Sequence, residues 1–492
     1  MMRSTAPSVI CRLARFAVGA ALVAAAAPAP ASAQISPYGS TTPLISGGTL
    51  RGSDVGFDPV NQVYLVVTDR AGSAGITGIF VNTSGQAVTS PFTVYDGSLG
   101  TASFVKATYS PDVNNGSGGF LVAWNQWNGQ ANNIAVDVVA YPNRVVSGVQ
   151  MVSAGEQSGT FAEAVPAIAY SRTSRRFLVA WQTAQFGILG RFVDTNGTPF
   201  GAASLFENAG GARDPSLAWN PASDQFGLLS SRYNNSGAFE SFRRIRASDG
   251  LVFGSTSFGF TAGTFMTALD VNAANQFVGA WGVGPGTWTA TFDSAGNQLG
   301  TNFITNRLGF NQSLGMAYNP VSGTFLAVSS DNLSYEVGAV EISGGGAPNS
   351  GVQIVTTGAI SGGGGSFYPR TAAQPNAPRW NISYSRNYTQ TVDQIVSTTS
   401  TGGGTGGGGT PTGGGTTPTT GGCTTPDPFS SIGGGTCVNG GWVPKTGTST
   451  GSTGGTTTTT GGCTSPDPFA SIGGGTCVNG GWVPGTPRRT PG

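Results

Sequence analysis

From about residue 41 to 398 the chain alternates between short, very apolar runs and turns built from Gly, Asn, Asp and Pro. One phrase recurs: a short strand ending in an aromatic residue, a turn, then a strand apolar on both faces. It reads Gly56-Phe57-Asp58-Pro59 before Val63–Val67, Thr108-Tyr109-Ser110-Pro111 before Phe120–Trp124, and Ala169-Tyr170-Ser171 before Phe177–Trp181. It returns as Ala218-Trp219-Asn220-Pro221 before Phe226–Leu229, as a weaker copy Asp270-Val271-Asn272 before Phe277–Trp281, and as Ala317-Tyr318-Asn319-Pro320 before Phe325–Val328. A degenerate seventh is Ala373-Gln374-Pro375 before Trp380–Tyr384. The equivalent positions 57, 109, 170, 219, 271, 318 and 373 lie 47 to 61 apart. A period of about 50 residues carried by strands alone predicts an all-β fold, a seven-bladed β-propeller of four-stranded blades.

In the third unit, strand A spans Pro166–Ser171, B Arg176–Gln182, C Gly187–Asp194 and D Pro199–Phe206. Asp194-Thr195-Asn196-Gly197 has the chemistry of a tight C–D turn, as do Asn82-Thr83-Ser84-Gly85 and Asp293-Ser294-Ala295-Gly296, because Gly and Asn accept positive φ cheaply. Strand B suits burial between neighbouring blades. Trp124, Trp181 and Trp281 share one repeat position on it and are predicted core. No amphipathic helix of useful length is present. Two β-sandwiches would not repeat strands in fours, and the rungs of a β-helix are shorter. The seventh unit lacks a fourth strand after Val392–Ser397, and Thr41–Ile45 lacks a partner. The N-terminal strand is therefore expected to complete the last blade, removing two open sheet edges.

In such blades the B–C loops and D–A connections share one face, and the A–B and C–D turns share the other. The latter are short and regular here. The B–C loops vary and are rich in amides and aromatics: Trp127, Asn128 and Gln130; Tyr233 and Asn234; Asn332 and Tyr335; Arg386 and Tyr388. Variable loops on a rigid scaffold are where binding concentrates. Amide groups and ring faces match the hydroxyls and CH groups of neutral polyols. Polar loops that simply keep a face soluble are the competing explanation.

Charge and composition narrow the chemistry. The chain has no histidine, which removes Ser-His-Asp triads, HExxH zinc sites and His-ligated iron or copper. No metal and no cofactor is expected. There is no phosphate loop, calcium loop or sialidase Asp-box. A glycosidase needs two converging carboxylates, and only Glu156, Glu163, Glu207, Asp214 and Asp331 are expected in loops near the central face, with nothing pairing them. Nine arginines fall between Arg172 and Arg246, including Arg243, Arg244 and Arg246. They make either an anion-binding patch or an ordinary solvated edge. Without a basic footprint, nucleic acid is not an expected partner.

The first 33 residues predict an export signal. Arg3, Arg12 and Arg15 precede an apolar run, Phe16 to Ala27, and Ala31-Ser32-Ala33 forms a small-x-small cleavage site before Gln34. The run is too short for a membrane span and no later one is expected. Residues 34–398 form the propeller, 399–422 and 445–462 are Gly/Thr linkers, and 485–492 is a disordered end. Residues 423–444 and 463–484 are near-identical units reading Cys-x-x-Pro-Asp-Pro-Phe-x-x-x-Gly-Gly-Gly-Thr-Cys-Val-Asn-Gly-Gly-Trp-Val-Pro. In an exported chain, paired cysteines fourteen apart predict local bridges, Cys423 to Cys437 and Cys463 to Cys477. Trp442 and Trp482 either cover those bridges or stand exposed for stacking.

The repeat region resembles exported bacterial β-propeller repeat proteins, and the tail units resemble a short repeat at the C-terminus of various exported bacterial proteins. The first resemblance implies a ring fold and says little about ligand; the second carries no defined activity. The expectation is a monomeric, secreted, non-catalytic binding or scaffold protein whose partner is a glycan or another envelope protein. The alternatives are a carboxylate-dependent polysaccharide hydrolase or lyase, and a structural surface protein.

Overall fold

The apolar runs form the strands their composition predicts. The computed structural model describes residues 34–38, 41–46, 52–69, 74–142, 144–153, 165–183, 187–207, 211–234, 237–259, 264–283, 286–308, 314–330, 336–356, 366–386 and 390–399, and in the tail 435–438, 441–444, 475–478 and 481–484. The signal, the linkers, Cys423, Cys463, Asn332, Tyr335, Tyr388, Glu156, Glu163 and Asp331 lie outside the described residues.

Among the described residues, seven antiparallel sheets follow one another along the chain. Blade 1 is β3 (Ser53–Asp58), β4 (Val63–Asp69), β5 (Ile76–Asn82) and β6 (Phe92–Tyr95). Blade 2 is β7 (Thr101–Ser110), β8 (Gly119–Trp127), β9 (Asn132–Ala140) and an outer strand in two pieces, β10 (Arg144–Val145) and β11 (Gln150–Met151), which both pair with β9. Blade 3 is β12 (Ala167–Ser171), β13 (Arg176–Gln182), β14 (Ile188–Val193) and β15 (Pro199–Glu207). Blade 4 is β16 (Ala212–Asn220), β17 (Gln225–Asn234), β18 (Gly237–Arg246) and β19 (Val252–Gly259). Blade 5 is β20 (Thr264–Val271), β21 (Phe277–Val283), β22 (Gly286–Phe292) and β23 (Gln298–Thr305). Blade 6 is β24 (Leu314–Asn319), β25 (Thr324–Ser330), β26 (Val337–Ser343) and β27 (Gln353–Ile354). Blade 7 is β28 (Ser366–Gln374), β29 (Arg379–Arg386) and β30 (Gln390–Thr399), completed by β1 (Gln34–Pro37) and β2 (Thr42–Ser46).

Closure thus uses the N-terminal segment as expected, in two pieces. Thr42 pairs with Asp393 and Ser46 with Gln390, while Gln34 pairs with Thr399 and Pro37 with Val396. The innermost strands of successive blades touch all the way round, β28 against β3 included.

The core is a set of seams. Seven apolar clusters form, and each draws on two neighbouring blades. Trp124 sits in the blade 1–2 seam, Trp181 in the 2–3 seam and Trp281 in the 4–5 seam, all three fully buried. A B strand lies between two seams, so both faces must be apolar; Val63 to Asp69 is buried at every position.

The A–B turns lock the ring from one side. The residue after the strand-end aromatic is polar in every unit and buried: Asp58, Ser110, Ser171, Asn220, Asn272, Asn319 and Gln374. Asn220, Asn272 and Asn319 each donate from Nδ2 to backbone carbonyls of the next blade, at 2.7 Å to Asn275, 2.7 Å to Gly344 and 2.7 Å to Ala377. Asn220 and Asn319 also accept from their own turns. The recurring Asn-Pro is therefore a turn cap and an inter-blade tie at once.

The tail is a separate unit. It contains two hairpins, β31 (Gly435–Val438) with β32 (Gly441–Pro444), and β33 (Gly475–Val478) with β34 (Gly481–Pro484). Cys437 lies opposite Trp442 and Cys477 opposite Trp482.

Candidate functional site

The strands nearest the axis carry the least regular backbone. β7, β16, β20 and β28 each break register, between Ser103 and Lys106, Arg213 and Ser216, Phe265 and Thr267, and Phe367 and Arg370. In each, the residue five before the strand-end position has positive φ: Phe104 at 55°, Asp214 at 48°, Met266 at 61° and Tyr368 at 54°. None is Gly, so each conformation costs energy that neighbours must hold in place. Asp69 does so between blades 1 and 2, accepting from the N–H of Phe104 at 2.8 Å and of Gly52 at 2.7 Å. Phe104 and Tyr368, from blades 2 and 7, meet edge to face at 6.5 Å across blade 1. Blade 1 has Gly52 at the matching position, where a Cβ would lie 3.3 Å from the Asp69 carboxylate.

Two residues further on, one level of the axis carries Asp54, Lys106, Ala167, Ser216, Ala268, Gly315 and Arg370. The three charged side chains come from consecutive blades, 7, 1 and 2; the other four are small. Asp54 accepts from the Ala107 N–H at 2.8 Å, and Arg370 Nη1 donates to the Leu314 carbonyl at 2.8 Å. Burial and the nearby Arg370 push the Lys106 amine down to about 7, with Asp54 acting the other way. Burial also lowers Arg370, against the pull of Asp54, Asp214 and Tyr368.

The described loop residues predicted from sequence lie at the B–C ends of three blades, 2, 4 and 7. Trp127 ends β8 and is exposed, at 41%. Its neighbour across the D–A connection is Leu99, exposed at 54%, whose carbonyl accepts from Gln126 Nε2 at 2.8 Å. Asn128 Oδ1 accepts from the N–H groups of Gln130 and Ala131, so its carbonyl closes the loop. Gln130 is exposed. Tyr233 and Asn234 are the last residues of β17, paired with Ala238 and Gly237. Arg386 is half-buried and donates to the hydroxyl of Tyr384 at 2.9 Å, stacking over that ring.

The arginine-rich stretch is structural. Glu207, expected in a loop near the central face, is instead fully buried between blades 3 and 4. It pairs with Arg232 at 3.0 Å and Arg243 at 3.5 Å and accepts from Ser230. The strand reaches one residue past the predicted end, which draws its carboxylate into the seam. Arg244 points the other way, as alternation requires, and donates to the carbonyls of Ser294 and Phe253 over the Phe253 ring. Arg246 pairs with Asp249, and Arg175 with Asp112. Asp214, also expected in a loop, lies within β16, where it accepts from the Met266 N–H at 3.4 Å.

Sequence reasoning missed the axial bulges and the Arg370–Asp54–Lys106 level. A signal was available: these three residues stand at one offset from the strand-end position in a chain with only 9% charged residues. Among the described residues no group of His, Cys, Asp and Glu is arranged to hold a metal, and no helix is long and apolar enough to cross a membrane.

No family model and no curated protein matches this chain. Solved structures resemble it in part. A Dyadobacter fermentans protein of unknown function is 9% identical with a TM-score of 0.44, over 75% of this chain and 100% of that one. The WD40 domain of Toxoplasma gondii coronin is 9% identical with a TM-score of 0.46, over 75% and 87%. The Dos1 propeller is 10% identical with a TM-score of 0.42, over 74% and 95%. Likeness at this level says nothing of ligand or activity; the blades are counted from this chain's own sheets.

Proposed function

We propose that this chain is an exported, non-catalytic binding protein of the cell envelope or exterior, and that its B–C and D–A face takes a glycan, with another envelope protein as the second candidate. The exposed aromatic ring of Trp127 at the B–C end of β8 carries this reading. One face is tied down by buried turn caps and inter-blade bonds. The other presents Trp127 and Leu99 to solvent. An exposed aromatic on a rigid strand end supplies stacking area at little entropic cost. Export is supported by the N-terminal charge and hydropathy pattern.

Among the described residues, no pair of carboxylates supports the hydrolase alternative. Glu207 is consumed in a seam and Asp214 is built into the wall of the axis. A glycan array and an envelope-fraction capture with the signal-cleaved chain, run beside a polysaccharide turnover assay, test the proposal. Saturable binding without turnover is expected. Turnover abolished by Asp214→Asn would overturn it.

A further inference from the structure

The signal-cleaved chain has two lysines, Lys106 and Lys445, and only Lys106 lies in the propeller. It stands on the innermost strand of blade 2, level with Arg370 of blade 7 and Asp54 of blade 1. Among the described residues no hydrogen bond or ion pair reaches its amine, although an ammonium brings three donors. The carboxylates nearby are already engaged by backbone: Asp54 by the Ala107 N–H and Asp214 by the Met266 N–H. Arg370 is fixed by the Leu314 carbonyl and held close to blade 6, where a Cβ on Gly315 would lie 3.0 Å from the Arg370 Cα. Opposite these long side chains the same level carries only Ala167, Ser216, Ala268 and Gly315. Two cations therefore share one level of the axis, and the Lys106 amine is left without a partner among the described residues. Burial first, and then the repulsion of Arg370, depress the Lys106 amine to about 7, with Asp54 pulling the other way.

We infer that the axial recess between Lys106 and Arg370 is a binding site for a compact oxyanion, a carboxylate or phosphate group small enough to enter the axis. A carboxylate or phosphate would accept from the Lys106 ammonium and from the free edge of the Arg370 guanidinium, and would relieve the repulsion between them. This site is independent of whatever the loop face binds, and it stands or falls separately.

The two-lysine composition makes the test direct. Carbon-13 dimethylation of the signal-cleaved chain gives one side-chain NMR signal for each lysine and keeps the charge. Glucuronate and inorganic phosphate are titrated separately at constant ionic strength. The Lys106 signal should move saturably with at least one of them while the Lys445 signal stays; which one moves it identifies the carboxylate or the phosphate. Arg370→Gln should weaken that binding by about tenfold or more, the usual effect of losing a charged hydrogen bond. Asp54→Asn keeps the acceptor for Ala107 and removes a competing charge, so it should tighten binding. A Lys106 signal unmoved by both anions overturns the inference. So does equal, unsaturable drift of both signals, or weaker binding in Asp54→Asn.

Discussion

Trp181 and Trp127 show how one residue type serves two different surroundings. Trp181 is fully buried in the blade 2–3 seam, and Trp127 stands 41% exposed at the end of β8. Trp181→Ala should cost about 3–5 kcal/mol in urea unfolding, the range for a large buried aromatic. Asp393 is a weak point of blade 7. It is 1% exposed in β30, opposite Ser383 and Thr42, and burial raises its carboxyl well above the usual range. The folded state therefore holds this proton more tightly than the unfolded chain. Its stability is fullest below about pH 4, the ordinary carboxylate range, and falls as pH rises toward the raised value. Asp270, pushed up to about 6 by burial, acts in the same direction. Asp393→Asn should lift the melting temperature at pH 7.5 by at least about 2 °C and leave it nearly unchanged at pH 4; a melting curve at each pH checks both. The buried tryptophans were legible because they repeat at one strand position. Asp393 and Glu207 were not, because what surrounds each is set by strand pairing and blade packing that no local pattern announces.

At the scale of elements, closure rests on β1 and β2 sharing one partner. Ile35 enters the blade 6–7 seam, and Leu44 and Ile45 enter the blade 7–1 seam. Deleting residues 40–48 removes two buried aliphatic side chains, about 4 kcal/mol of burial, and opens the edge of β30. The melting temperature should fall by about 10 °C or more and light scattering should rise on heating. An unchanged melting curve would mean that β1 alone closes the ring. The segment at Thr41–Ile45 was readable because the seventh unit lacked a fourth strand. β1 was not, since Gln34-Ile35-Ser36-Pro37 is four residues long and ends in a proline, which donates nothing to a ladder. The divided outer strand of blade 2 was equally hidden, because strand D carries little burial and so little pattern. The axial bulges escaped for another reason: non-Gly residues at positive φ leave no turn composition to recognise.

The propeller unit is a ring of seams between neighbouring blades, and the proposed binding uses its axis and one face. The repeat spacing made the ring legible; the site was legible only as a face, since its loops share composition without a motif. The tail belongs to the same proposal of export. Intact mass should fit a chain starting at Gln34 with no free thiol, and peptide mapping should join Cys423 to Cys437 and Cys463 to Cys477. A Cys437–Cys463 bridge would overturn the two-module organisation. The face assignment itself is tested most directly by one titration. The strongest ligand from the array or capture is measured against the signal-cleaved chain and its Trp127→Ala variant at matched melting temperature. A stacked aromatic at a binding centre contributes about 2 kcal/mol or more, so affinity should fall about thirtyfold with the fold intact. Unchanged affinity in Trp127→Ala would contradict binding at this face.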